Sequence, residues 1–252
     1  MTLLSAVIIT KNEEANIRRC LESVKFADEI IVIDSNSTDK TTAIASQLGA
    51  KVFTRPWLGF GPAKQEGVNH ASGQWILSID ADEMVPDELA AEIKNKLSFA
   101  NGCSAFYLKR KTMFLGRWIL HCGWYPGYVL RLFQKNEGKF DSAIIHEKVE
   151  TQGRVGHLQS DLLHYSYPDL ESYLNKFNRY TTLGAEEAYR TGKKAGWSDL
   201  IIKPPVSFIK HYIVRQGFRD GLEGFILSVL SSMAVLVKYA KLYTIQKNRS
   251  LK

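Results

Sequence analysis

The stretch QWILSIDADE at residues 74–83 decides the predicted fold. Residues 74–79 form an apolar run of strand length, and Asp80, Asp82 and Glu83 follow it directly. Two carboxylates two residues apart, just past the end of a strand, can face one hard cation, and Mg²⁺ or Mn²⁺ prefers such oxygen ligands. An acidic loop that caps the next helix is the plainer alternative, and the motif by itself leaves both open.

The same alternation of strand and helix continues outward from this stretch. The predicted strands are 6–10, 29–33, 51–53 and 74–79, and the predicted helices are 16–23, 41–48, 64–71 and 87–97. Such alternation is typical of βαβ units and predicts the α/β class with a mostly parallel sheet flanked by helices. In these sheets, ligands bind at the carboxyl ends of the strands.

Polar residues stand at those predicted strand ends. Asp34 ends the second strand, where a carboxylate can accept the imide N–H of uracil or a ribose hydroxyl. Thr10, Asn12 and Glu13 follow the first strand and could hold a nucleoside. Lys64 begins a predicted helix, and its ammonium group could bind a diphosphate as a point charge. Helix capping for the loop residues, and plain solvation for Lys64, remain the alternatives.

From residue 104 the pattern changes to shorter, mixed strands, predicted at 105–108, 128–133 and 148–150. A group-transfer reaction needs a base near the acceptor hydroxyl, and Glu147 or Asp141 could serve. His164 could approach a metal ion or phosphates from a later segment. A buried His-Glu pair at 146–147 and a core histidine at 164 are the structural alternatives.

The C-terminal part is basic and ends in a predicted helix. Residues 1–160 hold 19 Lys and Arg against 18 Asp and Glu, whereas residues 161–252 hold 14 against 8. Residues 206–247 are predicted to be one helical run, with 13 apolar residues at 225–237 and basic residues on both sides. This combination favours an anionic membrane surface. It does not favour nucleic acid, because the run lacks a spaced basic and aromatic face. A core or dimer-interface helix is the alternative.

The bulk composition adds two expectations. The 252 residues are 45% hydrophobic and 23% charged, which is ordinary for a globular protein. Three widely spaced cysteines, Cys20, Cys103 and Cys122, indicate reduced thiols in a cytosolic protein. The first residues lack a signal-peptide pattern, so none is expected. The oligomeric state stays open.

Taken together, these motifs resemble glycosyltransferase family 2, the inverting transferases of GT-A fold. Within that family the sequence is most similar to lipopolysaccharide core β-1,4-glucosyltransferases of Gram-negative bacteria. The matching stretches are 7–14, 31–39, 64–83, 131–133 and 145–147. The resemblance implies a GT-A domain over residues 1–165, with a nucleotide-sugar half at 1–100 and an acceptor half at 101–165. Residues 166–252 would be a helical, membrane-associating extension.

The resemblance also implies the chemistry. Asp34 would contact uracil, Asp80 and Asp82 a diphosphate-bound divalent cation, and Glu147 would be the base. The donor would be a UDP-sugar, UDP-glucose first among them, and the acceptor a lipid-linked saccharide of the lipopolysaccharide inner core. Many family members carry the base in a Glu-Asp pair, which this chain replaces with His146-Glu147, so Asp141 remains the alternate base.

That activity would place the protein in the cytoplasm, peripheral on the inner face of the cytoplasmic membrane. A binding protein is the competing function: a catalytically silent nucleotide-sugar scaffold at the membrane. Metal-dependent UDP binding with UDP-glucose hydrolysis distinguishes the enzyme from a scaffold that binds no nucleotide.

Overall fold

A computed structural model describes residues 4–98, 102–141 and 148–250, with side chains through residue 248. The strands are β1 (Leu4–Thr10), β2 (Glu29–Asp34), β3 (Lys51–Thr54), β4 (Trp75–Asp80), β5 (Glu83–Met84), β6 (Cys103–Phe114), β7 (Arg117–Ile119), β8 (Gly127–Gln134), β9 (Gly138–Phe140), β10 (Val149–Thr151) and β11 (Arg154–Tyr167). The α-helices are α1 (Ile17–Ser23), α2 (Thr41–Gln47), α3 (Phe60–His70), α4 (Asp87–Ser98), α5 (Leu170–Arg190), α6 (Trp197–Ile201), α7 (Lys203–Ile209) and α8 (Gly221–Ser250).

Strands β1 to β4 form the parallel part of the sheet, in the order β3-β2-β1-β4. Each begins and ends within two residues of the predicted bounds. Helices follow these strands along the chain, and the expected α/β fold is confirmed. The sequence predicts this part well because each βα unit carries its own pattern: an apolar strand, a polar loop and an amphipathic helix.

The other part of the sheet is antiparallel. Strand β8 pairs with β4 on one side and with β6 on the other, and β11 pairs with β5. The full order is β3-β2-β1-β4-β8-β6-β11-β5. The 14-residue strand β11 is not among the sequence predictions, which have only short strands after residue 104.

The parallel strands are buried on both faces. Along β1, Ala6 and Ile8 pack into one apolar cluster with α1 and α4, while Val7 and Ile9 pack into another with α3. Burial of both faces explains why these strands are continuous apolar runs without alternation. Gly67 lets α3 lie close to the sheet, because a Cβ there would come within 2.3 Å of Val7 Cγ1.

Contacts divide the chain into two units. The first contains Met1–Lys111 and Gly127–Tyr165, and the second contains Thr112–Pro126 and Ser166–Lys252. Residues 112–126, which the sequence analysis assigns to the acceptor half, therefore group with the C-terminal residues. The functional division into a donor half, an acceptor half and an extension remains a prediction.

The second unit is mainly helical. Its core joins Phe114, Ile119 and Cys122 to Tyr173 on α5 and Leu227 on α8. Helices α5 and α8 are also connected by Lys241, whose Nζ lies within hydrogen-bond distance of four oxygens on α5 and shares its three N–H donors among them. The acceptors are Asn178 O at 2.9 Å, Asn178 Oδ1 at 2.8 Å, Thr181 Oγ1 at 2.9 Å and Thr182 Oγ1 at 2.7 Å.

The prediction of one helix over residues 206–247 is wrong. Helix α7 passes into a π-helical turn at Lys210–Val214 and a 3-10 turn at Gly217–Asp220 before α8 begins. The buried Asp220 accounts for the break, because its carboxylate accepts hydrogen bonds from the backbone N–H groups of Leu120 at 3.2 Å and His121 at 2.8 Å. These partners are about a hundred residues away, so no local pattern reveals them.

The C-terminal helical segment is longer than its 13-residue apolar run. By length and composition alone, Gly217–Asn248 is long and apolar enough to cross a bilayer, a test that core helices of soluble proteins also pass. Leu227, Leu230 and Leu242 of this segment are buried inside the second unit, whereas Met233 and Leu236 are exposed.

Candidate active site

Three of the predicted site residues lie at one edge of the parallel sheet. Thr10, at the end of β1, is in register with Asp34 at the end of β2. On the other side of β1, Ile9 is in register with Asp80 at the end of β4. The carboxyl ends of adjacent parallel strands thus bring these polar residues together, as the strand pattern predicts.

Asp80 is held between two buried cations. The Nζ of Lys64 lies 2.9 Å from Asp80 Oδ1, and the guanidinium of Arg131 bonds Oδ2. Burial alone would raise the pKa of Asp80, but the charges of Arg131 and Lys64 outweigh it and hold that pKa well below its usual range. Asp80 is therefore a carboxylate throughout the physiological pH range.

Glu83 extends this arrangement. Its side chain is fully buried, and its Oε2 accepts a hydrogen bond from the Asp80 backbone N–H at 2.8 Å. Its Oε1 lies 3.4 Å from the guanidinium groups of both Arg110 and Arg131. We call Lys64, Asp80, Glu83, Arg110 and Arg131 the Asp80 cluster. It contains three cations and two carboxylates, so an anionic ligand suits its electrostatics.

Asp82 and His164 form a second pair beside the cluster. Strand β11 pairs with β5 so that His164 is in register with Glu83, and His164 Nε2 lies 3.2 Å from Asp82 Oδ2. The backbone is fixed there by a 2.8 Å hydrogen bond from Tyr165 N to Asp82 O. Both side chains keep some exposure, 15% for Asp82 and 13% for His164.

This pair offers a divalent cation one carboxylate oxygen and one imidazole nitrogen, which are suitable ligands for Mn²⁺ and, for the oxygen, Mg²⁺. No group of three or more His, Cys, Asp or Glu side chains able to hold a metal occurs among the described residues. A cation at Asp82 would therefore take its remaining ligands from water or from a bound diphosphate, as Mg²⁺ commonly does.

Lys64 lies inside α3, which begins at Phe60 and not at Lys64 as predicted. Its side chain is only 1% exposed, so the alternative of plain solvation is wrong. Its ammonium group lies against Asp80, and the Phe140 ring lies 5.9 Å from the same nitrogen. A contact between Lys64 and a diphosphate stays a prediction.

The two loops after β1 and β2 are bonded to each other. Asn12 has a left-handed φ of 54°, its backbone N–H donates to Ser37 Oγ at 2.8 Å, and its Oδ1 accepts from Thr38 N at 2.8 Å. Glu13 N donates to Thr41 Oγ1 at 2.8 Å. Asn12 and Glu13 thereby give the strand-end loops one fixed conformation.

Asp34 and Thr10 differ in how their side chains are bonded. The buried Asp34 carboxylate accepts from Ser37 N at 2.9 Å and Ser37 Oγ at 2.5 Å, which closes its own loop. The hydroxyl of Thr10 is buried and has no hydrogen-bond partner among the described residues. A buried hydroxyl without a partner is costly, and a ligand group at this edge would remove that cost.

Of the two candidate bases, only Asp141 can be placed. It follows Phe140 at the end of β9, is half-buried, and its backbone N–H donates to Lys148 O at 3.0 Å. Phe140 N donates to Gln65 Oε1 at 2.9 Å, so this strand end adjoins the helix that carries Lys64. Glu147, with His146, lies outside the described residues.

No motif in the sequence predicts a function at the site for Arg110, Arg131 or Cys20. Arg131 has a detectable signal, since a charged residue inside the apolar stretch LRLF of a buried strand requires a partner. Cys20 lies beneath the site, with its Sγ 3.6 Å from Asp80 O. Burial and then the neighbouring carboxylates raise the pKa of its thiol well above the usual value, so it is neutral and unreactive.

The chain is similar to known proteins over most of its length. Residues 5–145 match the model of the family described as Glycosyl transferase family 2. An uncharacterized glycosyltransferase of Rickettsia typhi is 34% identical over 96% of this chain and 87% of its own length. The lipopolysaccharide core biosynthesis glycosyltransferase LpsC of Rhizobium meliloti is 31% identical over 95% of this chain and 92% of its own length.

Among solved structures, one similar chain is glucosyl-3-phosphoglycerate synthase from Mycobacterium tuberculosis in complex with Mn²⁺, uridine diphosphate and glucosyl-3-phosphoglycerate. It is 24% identical, with a TM-score of 0.41, over 54% of this chain and 57% of that chain.

Proposed function

This chain belongs to glycosyl transferase family 2, and from that premise we propose that it moves a hexose, glucose in the first instance, from a UDP-sugar to a lipid-linked saccharide. The acceptor we propose is the lipopolysaccharide core, the pathway named for the relative LpsC. The observation that carries the donor proposal is the Asp80 cluster together with the Asp82 and His164 pair at the carboxyl ends of the sheet.

We base the proposed roles of the residues on their positions at this sheet edge. Asp82 and His164 are the proposed protein ligands of a divalent cation. Asp80, held between Lys64 and Arg131, supplies a second carboxylate at the same strand end. When bound, the cation would neutralise negative charge on the nucleoside diphosphate as it leaves. Asp34, Thr10 and the loop of Asn12 and Glu13 are the proposed nucleoside contacts.

The proposed reaction is a direct displacement at the anomeric carbon. A carboxylate, Glu147 or in its place Asp141, takes the proton of the acceptor hydroxyl. The acceptor oxygen forms its bond to the anomeric carbon as the bond to the UDP oxygen breaks. The electron pair of that bond leaves with UDP, and the anomeric configuration inverts.

Asp82→Asn and His164→Gln test the metal ligands. We expect Asp82→Asn to lower kcat for transfer from UDP-glucose at least a hundredfold, and both variants to weaken Mn²⁺ binding in calorimetry with UDP present. Asp87→Asn, an exposed carboxylate five residues later, is the matched control and should change neither quantity. Wild-type turnover by Asp82→Asn after metal removal would refute the metal role.

Glu147→Gln and Asp141→Asn test the base. The base variant should lose kcat while its affinity for UDP stays unchanged, because the proton acceptor acts on the other substrate. If Glu147→Gln turns over at the wild-type rate and Asp141→Asn does not, the role passes to Asp141. A panel of UDP-sugars, assayed for metal-dependent hydrolysis, tests the choice of glucose. UDP binding without any turnover would instead support the scaffold function.

We further propose that the second unit contacts the anionic inner face of the cytoplasmic membrane. Within residues 193–225 six Lys and Arg residues accompany three Asp and Glu residues, and ten large apolar side chains are exposed. The exposed side chains are Trp197, Ile201, Ile202, Val206, Ile209, Ile213, Val214, Phe218, Leu222 and Phe225. Exposed apolar residues mixed with basic ones suit an interfacial helix on anionic lipid.

Vesicle sedimentation tests the membrane contact. The full chain should sediment with phosphatidylglycerol vesicles, with binding that weakens in high salt, and sediment poorly with phosphatidylcholine vesicles. Ile202→Ser with Val206→Ser should reduce the bound fraction severalfold. Equal binding to both kinds of vesicle, or none to either, would reject an anionic membrane surface.

A further inference from the structure

A groove between α5 and α8 has no part in the proposed reaction. It has a volume of about 290 Å³ and lies entirely within the second unit. Half of the residues that line it are aromatic: Trp124, Tyr167, Tyr173, Phe177 and Tyr180. The side of the groove on α8 includes the small residues Ala234 and Val235, which leave the space open.

The aromatic side chains pack against one another. The ring centroid of Tyr167 lies 5.7 Å from that of Trp124 and 5.0 Å from that of Tyr173. Tyr173 also packs in the core of the unit, so this side of the groove is preformed. Burial, and secondarily Tyr167, raises the pKa of Tyr173 to about 12, so its phenol stays neutral at physiological pH.

The charged residues that line the groove are all cations. Lys176 and Lys238 are part of the lining, and none of the described residues that line the groove is Asp or Glu. Lys176 Nζ lies 3.2 Å from Ser166 Oγ and 4.9 Å from the centroid of the Tyr167 ring. The groove therefore combines an apolar interior with positive charge, which is complementary to an anionic amphiphile.

The lining is mainly apolar, although it includes the hydroxyl groups of three tyrosines. A saccharide needs several hydrogen-bond partners for its hydroxyls, and Thr181 Oγ1 already donates to helix carbonyls and accepts from Lys241. The residues around Ala234 and Val235 continue the apolar character, since Met233 and Leu236 of the same helix are 46% and 40% exposed. An alkyl chain suits such a surface better than a hydroxylated ring does.

We propose that this groove binds one anionic lipid, with an acyl chain along the aromatic side chains and the phosphate at Lys176 and Lys238. The proposal uses no residue of the Asp80 cluster and does not depend on the donor or the acceptor. It assigns to the second unit a specific lipid site in addition to a general affinity for membranes.

The experiment uses the full chain and a monomeric lipid. Dihexanoyl-phosphatidylglycerol, kept below its critical micelle concentration, is titrated into the protein while calorimetry and tryptophan fluorescence are followed. We expect saturable binding of one lipid per chain. Dihexanoyl-phosphatidylcholine, which has the same chains but no net charge, should bind at least tenfold more weakly, and inorganic phosphate should not compete at equal concentration.

Variants separate the two parts of the site. Lys176→Met with Lys238→Met should reduce the preference for the anionic lipid to less than threefold. Ala234→Leu should weaken both lipids, because it fills the groove. The matched control is Arg179→Gln with Arg190→Gln, which removes the same charge from exposed positions on α5, outside both the groove lining and residues 193–225, and should preserve the preference. Circular dichroism at each step confirms that the variants fold.

Three results would overturn the proposal. Equal affinity for the two lipids in the wild-type chain would remove the anionic requirement. An unchanged preference in Lys176→Met with Lys238→Met would move the charge recognition elsewhere. Binding of glucose 1-phosphate as tightly as the lipid would assign the groove to a sugar phosphate. Since no donor is present, any of these results leaves the transferase proposal intact.

Discussion

Asp80 can be charged inside the protein only because Lys64 and Arg131 flank it. Removing one partner of a buried ion pair leaves an uncompensated charge, which typically costs about 3–5 kcal/mol. We expect Arg131→Met to lower the free energy of unfolding by this amount in urea titrations. Arg18→Gln is the control, because its exposed pair with Glu22 is worth about 1 kcal/mol or less.

The double variant Arg131→Met with Asp80→Asn gives the second half of this test. It should be less stable than Arg131→Met alone, since Asp80→Asn leaves the buried Lys64 without its carboxylate partner. Strict additivity of the two single variants would show that the two side chains do not interact energetically.

Glu29 makes stability depend on pH at a site away from the cluster. Burial alone would raise its pKa, but hydrogen bonds from Lys51, Ser5 and Ser72 lower it from 4.5 to about 2. The contribution is thus fully present above about pH 4.5 and is lost as the pH falls through about 2. It amounts to at most about 3 kcal/mol.

Glu29→Gln should therefore be less stable than the wild type at pH 7, and the difference should shrink steadily between pH 4.5 and pH 2. Urea titrations at five pH values in this range measure it. A difference that stays constant with pH would mean that the variant disturbs packing and that the carboxylate charge plays no part.

At the scale of elements, Lys241 connects α8 to α5 through four acceptors on a single helix. Hydrogen bonds to a charged group contribute about 1.5–3 kcal/mol, and Lys241→Met keeps the aliphatic stem while removing them. We expect a loss of that size in the unfolding of the second unit, followed by circular dichroism in urea. Lys194→Met, on an exposed loop, should cost less than a third as much.

The elements that the sequence predicts are those whose pattern is local. Strands β1 to β4 each carry an apolar run with a polar end, so their bounds and their shared ligand edge can be predicted. Strand β11 has polar residues along much of its length, and its pairing with β6 and β5 in the sheet defines it. The break before α8 likewise depends on Asp220, whose partners are distant in sequence.

The site residues likewise divide into those with a local sequence signal and those that are positioned by residues distant in sequence. Asp80 and Asp82 are recognisable from their place after a strand, and His164 is predicted to approach the metal. The burial of Lys64 is not predictable from the sequence, because it depends on α3 bringing Lys64 next to Asp80 at the end of β4. Arg110 reaches Glu83 only through the antiparallel strands, which the sequence predicts incompletely.

At the scale of the whole molecule, labelling of the three cysteines allows the unfolding of each of the two units to be followed separately. Cys20 and Cys103 are buried in the first unit and Cys122 in the second, so all three should resist a maleimide reagent in native buffer. The described core of the second unit is the smaller one. We therefore expect Cys122 to be labelled at lower urea concentration than Cys20, with mass spectrometry of the labelled peptides as the measurement.

The reverse order of labelling, with Cys20 modified first, would show that the sheet unit is the weaker one. Simultaneous labelling of all three cysteines at every urea concentration would show that the chain unfolds in one step. In that case the two units would share one cooperative transition.

The pairing of β8 beside β4 also has a consequence for synthesis of the chain on the ribosome. Asp80 is synthesised 51 residues before Arg131, which is one of the two buried cations that flank it. A nascent chain that has emerged only to residue 100 has all four parallel strands but a carboxylate without that partner. The sheet edge can therefore close only after β8 has emerged, and β11 must follow to bring in His164. A fragment limited to residues 1–100 would contain Lys64 but would lack Arg131, the second cation beside the buried Asp80.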